Sequence, residues 1–155
     1  MSTLLLKLAA PMQSWGLASK FDTRDTAREP TKSGVIGLLA AALGINRDNN
    51  EELTRLNRLS FGVRIDQPGV LLKDFVIARK MDGDNPFVTT RYYLADAVFL
   101  VGLEGEKEIL DELIAALHNP VFPLYLGRRS CPPASPLIIG IREKTLYQAL
   151  LEEPW

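Results

Sequence analysis

The sequence predicts an α+β fold, a ferredoxin-like (RRM-like) antiparallel sheet that carries an inserted β-hairpin. Three observations lead there. Apolar residues recur with period 2 and then with helical period in the order β-α-β, hairpin, β-α-β, which is the split βαβ arrangement. The turn-forming run Met81-Asp-Gly-Asp-Asn-Pro86 stands between two β-rich arms. The chain has 155 residues, 46% hydrophobic and 24% charged, the make-up of one globular domain. No internal repeat, linker or low-complexity tract divides it, so residues 1–155 are read as a single domain.

Each element has its own signal. Residues 3–8 alternate Leu4, Leu6 and Leu8 against Leu5 and Lys7, which predicts a strand with one fully buried face. Residues 10–32 show no apolar periodicity and contain Pro11, Gly16 and Pro30, so they form a long loop of the kind that is usually functional. Val35, Ile36, Leu39 and Leu43 place a helix over 33–43, ended by Gly44 in the left-handed conformation. A polar turn over 46–50 leads to a second, more amphipathic helix over 51–59. Phe61, Val63 and Ile65 mark a strand over 59–65, and the hairpin arms span 70–78 and 87–93. Residues 95–103 read as an apolar strand and 106–117 as an amphipathic helix with Ile109, Leu110, Leu113, Ile114 and Leu117 in phase. A strand over 137–141 and a short helix over 145–151 complete the order. In such a fold the helices lie on one face of the sheet, and the RRM binds single-stranded RNA on the other.

Composition excludes several classes of function. One cysteine, Cys131, makes no internal disulfide, and with one histidine, His118, it cannot build a Cys/His zinc site. The apolar stretch 34–44 is about half of what a bilayer requires, and Leu4 to Leu6 is too brief for a signal-peptide core. The expectation is a cytoplasmic protein with no membrane partner and no cofactor. Eighteen Lys and Arg against nineteen Asp and Glu leave a net charge of −1, so bulk charge draws no nucleic acid. Any RNA contact is therefore local. The stretch 120–142 holds Arg128, Arg129 and Arg142 and no acid.

Two loops carry the candidate chemistry. Thr31-Lys-Ser-Gly34 precedes the first helix, but Arg28-Glu-Pro30 stands where a Walker loop needs glycines, which rejects an NTPase. Lys32, Ser33 and the free amides of the helix start then suit one phosphate, or Thr31 or Ser33 simply caps the helix. Upstream, Gln13, Trp15, Lys20, Phe21, Arg24 and Arg28 interleave aromatics with bases, as single-stranded nucleic acid binding requires. Asp22, Asp25 and Glu29 oppose that charge, and Trp15 suits a core anchor equally. The second loop contains Gly127, which permits close backbone approach, followed by Arg128 and Arg129 as phosphate contacts. Arg79 and Lys80 near the hairpin tip, with Arg91 and Tyr92 on its return arm, extend the candidate surface. Tyr92 and Tyr93 divide evenly between packing and stacking. Catalytic candidates are weak. His118 ends a helix, Cys131 has no nearby histidine in sequence, and the acidic pairs Asp111-Glu112 and Glu152-Glu153 read as solvated helix faces.

The motifs themselves carry a resemblance. Pro11-Met-Gln-Ser-Trp-Gly16, Arg24-Asp-Thr26 and Pro30-Thr-Lys-Ser-Gly-Val-Ile-Gly-Leu-Leu39 resemble the N-terminal signature of the CasD family, subunits of the type I-E CRISPR surveillance complex Cascade. Arg91-Tyr-Tyr-Leu-Ala-Asp-Ala97 and Leu124-Tyr-Leu-Gly-Arg-Arg-Ser-Cys-Pro132 look like its later blocks, in the same order. The resemblance implies an RRM-like fold of the RAMP superfamily with the hairpin as a thumb. It further implies a non-catalytic subunit that caps the 5′ handle of CRISPR RNA and touches the backbone and large subunits of the complex. Members of that family usually continue into a small C-terminal β-rich segment, so a short or truncated member is expected. The alternative is a metal-independent endoribonuclease that processes CRISPR repeat RNA, for which no tyrosine, lysine and histidine set is matched here.

Overall fold

The computed structural model describes residues 1–17, 22–83, 85–134 and 136–155. In chain order the elements are β1 (Ser2–Ala9), β2 (Met12–Gln13), β3 (Thr23–Arg24), α1 (Lys32–Leu43), α2 (Asn50–Asn57), β4 (Ser60–Gln67), β5 (Val70–Ala78), β6 (Phe87–Ala95), β7 (Val98–Gly105), α3 (Lys107–His118), β8 (Ile138–Arg142) and α4 (Leu146–Glu152). The main sheet has the order β4-β7-β1-β8 with every pairing antiparallel. This is the predicted ferredoxin-like topology. Helix α1 starts where Thr31 Oγ1 accepts the Gly34 N–H at 3.2 Å, so capping is what Thr31 does there, and it ends at Gly44 with φ 74°. No helix is long and apolar enough to cross a membrane among the described residues.

One expectation about the sheet is corrected. Leu4, Leu6 and Leu8 do face the large core under α1 and α3, together with Phe99, Val101 and Leu103 of β7. The opposite face of β1 is covered too: Leu5 is fully buried with Leu100 against Ala149 of α4. Helices therefore lie on both faces, and the face that an RRM offers to RNA is closed. Glycines make this possible. Gly62 of β4 and Gly102 of β7 are register partners, and a Cβ on them would come within 2.9 Å of Leu150 and 2.5 Å of Leu146 respectively. Arg64 then fastens the helix end, donating from Nη1 to the carbonyls of Leu150 and Glu153 at 2.6 Å each.

The acidic pairs are solvated, with Asp111, Glu112 and Glu152 exposed, but three of the four carboxylates also meet a base. Glu153 accepts both ends of the Arg142 fork at 2.8 and 2.7 Å, Glu152 pairs with Lys144, and Glu112 of α3 receives a bidentate bond from Arg55 of α2 at 2.8 and 3.0 Å. The hydrogen-bonded Arg55 fork holds the Glu112 carboxyl below its ordinary range. A carboxyl depressed in the folded state adds stability above its unfolded pKa, and that gain is lost as pH falls through the folded value. Both side chains are more than a third exposed, at 38% and 43%, so the pair contributes under about 1 kcal/mol. Glu112→Gln is therefore expected to cost a small amount of stability at about pH 7 and less as pH falls below the ordinary carboxylate range, read as urea midpoints at the two ends.

The loop before α1 is more structured than expected. Two-residue strands have no periodicity to show in sequence, yet β2 pairs antiparallel and β3 parallel with β6, and β5 pairs along its other edge from Val70↔Ala95 to Ala78↔Phe87. The hairpin and the loop thus build a second, small sheet. Its turn includes residue 84, which lies outside the described residues.

Candidate nucleic-acid interface

Where the start of α1 meets the loop after α3, an open cleft of about 770 Å³ is lined by Ser33, Gly34, Gly37, Arg47, Gly127 and Arg129, among others. The loop is fixed in place by close backbone packing. Gly127 has φ +86°, and a Cβ there would sit 1.6 Å from the Ser14 carbonyl oxygen. Beside it the Ser14 N–H donates to Leu126 O at 3.1 Å, and the Leu126 N–H to Cys131 O at 2.7 Å. Cys131 is buried, and desolvation pushes its thiol up. That state disfavours a nucleophile and suits a packing residue.

Arg128 has a role in the fold that its local sequence does not show. Along one edge of β6, β3 pairs beside Thr90 and Arg91 and β2 beside Leu94 and Ala95. The guanidinium of Arg128 fills the gap between them. Its Nη1 donates to Tyr92 O at 3.1 Å and its Nη2 to Asp25 O at 3.3 Å, and Ser14 Oγ donates to the same Tyr92 carbonyl at 3.0 Å. The cation also lies over the Tyr93 ring, 5.0 Å from its centroid. Two of its five N–H donors go to the fold, and Arg129, exposed beside it, is the arginine that lines the cleft. Arg142, the third base of the acid-free stretch, is bound by Glu153.

The upstream candidates separate in the same way. Gln13 is fully buried, its Nε2 donating to Leu8 O and Ala97 O at 3.0 and 2.9 Å. Trp15 is 1% exposed, and its indole N–H donates to Gln13 Oε1 at 3.2 Å. Neither side chain reaches the surface, because they anchor the loop from inside. Lys32 leans toward α2 and donates to Asn57 O at 2.7 Å, the favourable position for a cation at a helix end. Tyr92 is half-buried, whereas Arg24 and Arg28 are exposed, as are Arg79 and Lys80 beside Asn85 and Phe87. Lys20 and Phe21 lie outside the described residues.

The family model described as CRISPR-associated protein (Cas_Cas5) matches residues 3–155. The chain belongs to that family. Among its relatives, the protein named CRISPR system Cascade subunit CasD from Escherichia coli (strain K12) is 38% identical over 160 residues, covering 90% of this chain and 70% of the relative. A chain of the solved "CRISPR RNA-guided surveillance complex" superposes with a TM-score of 0.85 at 39% identity, covering 97% of this chain and 68% of that one. A crystal structure of a Cas protein gives 0.74 at 49% identity, over 96% and 69%.

In this Cas5 chain the cations left open include Arg24, Arg28, Arg47, Arg79, Lys80 and Arg129, none of which has an acidic partner among the described residues. Arg47 was not singled out by the sequence. It is one base in a polar turn, and only folding brings that turn to the cleft. No group of three His, Cys, Asp or Glu side chains is placed to hold a metal among the described residues. His118 is exposed at the end of α3 and does not line the cleft.

Proposed function

We propose that the protein is a non-catalytic CRISPR RNA-binding subunit that caps the 5′ handle within a Cascade-type complex and works in the cytoplasm. The observation that carries this reading is the family match over residues 3–155, joined to a cleft lined by Arg129, Arg47, Ser33 and Gly37. A single strand entering there meets two guanidinium groups for its phosphates, and the open space at Gly37 lets it come near the backbone of α1. Arg24, Arg28, Arg79 and Lys80 extend the path. Phe75, Ile77 and Val88, exposed on one face of the hairpin, suit apolar packing against a neighbouring subunit.

Arg129→Ala is expected to weaken binding of handle RNA and to flatten the slope of log K against log salt by about 0.7, the share of one phosphate on a single strand. His118→Ala changes neither. Equal affinity for handle and scrambled RNA would argue for a protein-interaction module instead. Specific cleavage of repeat RNA in chelator, abolished by His118→Ala, would overturn the non-catalytic assignment.

A further inference from the structure

Strand β5 forms an open edge of the small sheet. It pairs with β6 over nine register positions, from Val70↔Ala95 to Ala78↔Phe87, and no strand lies along its other side among the described residues. The backbone N–H and C=O groups that face outward there belong to no ladder. Natural sheets guard such edges with proline, a bulge, short length or a cover. The sequence Val70-Leu-Leu-Lys-Asp-Phe-Val-Ile-Ala78 contains no proline and its register does not shift, while Val70, Leu71, Leu72, Phe75 and Ile77 are exposed. Successive residues point to opposite sides, so both faces of the strand show apolar side chains. The edge thus offers main-chain hydrogen bonds together with apolar contacts, which is what an added strand uses.

The charges at its centre select the kind of strand. Lys73 and Asp74 are the only charged residues of β5. A second copy pairing antiparallel along the whole strand, about a two-fold axis, sets Asp74 against Asp74, and moving the axis by one residue sets Lys73 against Lys73. Like charges directly opposite destabilise a strand pair, so the longest self-pairings are disfavoured. Asp74 is exposed and forms no ion pair among the described residues, although Arg91 is its register partner on β6. Its carboxylate is open to a base on an incoming strand, and an opposite-charge pair stabilises the position that self-pairing penalises.

We infer that the outer edge of β5 accepts an extended segment of a partner protein as an added strand, with apolar residues in alternation and a base opposite Asp74. This use of the backbone edge does not depend on the RNA-binding reading of the cleft. The probe is a labelled, end-blocked peptide with the sequence of β6, Phe87–Ala95, which is already matched to β5 and carries Arg91 against Asp74. Saturable binding of this peptide to the intact chain is expected in anisotropy. Consecutive N–H groups point to opposite edges of a strand, so methylating the peptide nitrogen at the Tyr92 or at the Tyr93 position blocks one edge or the other. One methylated peptide should bind about tenfold more weakly and the other as the unmodified peptide. Asp74→Lys, at an exposed position, is expected to weaken the unmodified peptide by roughly tenfold. No binding, or equal binding of the two methylated peptides, overturns the inference. Sedimentation of the chain alone tests the other occupant: self-association that Asp74→Asn strengthens would make this edge an interface between copies and overturn it too.

Discussion

Replacing Gly127 by alanine is expected to destabilise the protein by about 3–5 kcal/mol, near the top of the range for single substitutions. Two costs combine. A non-glycine residue at φ +86° is strained whatever surrounds it, and the new Cβ would lie 1.6 Å from the Ser14 carbonyl oxygen. The obstacle is backbone, held by the Ser14 N–H bond to Leu126 O, so it cannot swing aside like a side-chain tip. Gly83 supplies the control. Its φ is +80° but a Cβ there meets nothing within 4 Å, so Gly83→Ala should cost only the conformational part, about 1–2 kcal/mol. Urea unfolding of the two variants separates the terms, and equal shifts of the midpoint would show that the close approach at Gly127 contributes nothing.

Trp15→Ala is the second large effect, expected at about 3–5 kcal/mol from loss of a fully buried aromatic side chain. Trp15 is among the largest fully buried side chains of the protein, and its ring lies so near α1 that a Cβ on Gly34 would come within 2.8 Å of it. The Trp15 N–H donates to Thr26 Oγ1 at 2.8 Å, so the segment around it ties both ends of the loop together. Trp15→Phe keeps most of the volume but leaves Gln13 Oε1 without the indole donor, and should cost roughly 1–3 kcal/mol. If Trp15→Ala left the unfolding midpoint unchanged and reduced only RNA affinity, the residue would be a stacking platform after all.

Much of the fold is written in local pattern. The alternation in β1, the helical phase of α3 and the turn chemistry between β5 and β6 each follow from neighbours in sequence, and so does their assembly into the four-stranded sheet. The closure of the second sheet face is not local. Leu5 reads as outward from its own strand, and only the pairing of Gly62 with Gly102 makes room for α4 above it. The same limit applies to the site. Basic residues can be found by counting, but whether a base is open depends on carbonyls and carboxylates far along the chain. Arg128 meets Tyr92 O and Asp25 O, Arg142 meets Glu153, and Lys32 meets Asn57 O. Arg129 differs from Arg128 only in which way the fold turns it.

The guanidinium that replaces a missing rung between β2 and β3 has a further consequence. Residues around 14, 25, 92 and 128 are remote in sequence, yet each holds the others through that one group. The Arg128 side chain thus ties the loop bearing Arg129 to the small sheet, so Arg128→Ala is expected to be felt at the mouth of the cleft as well as between β2 and β3.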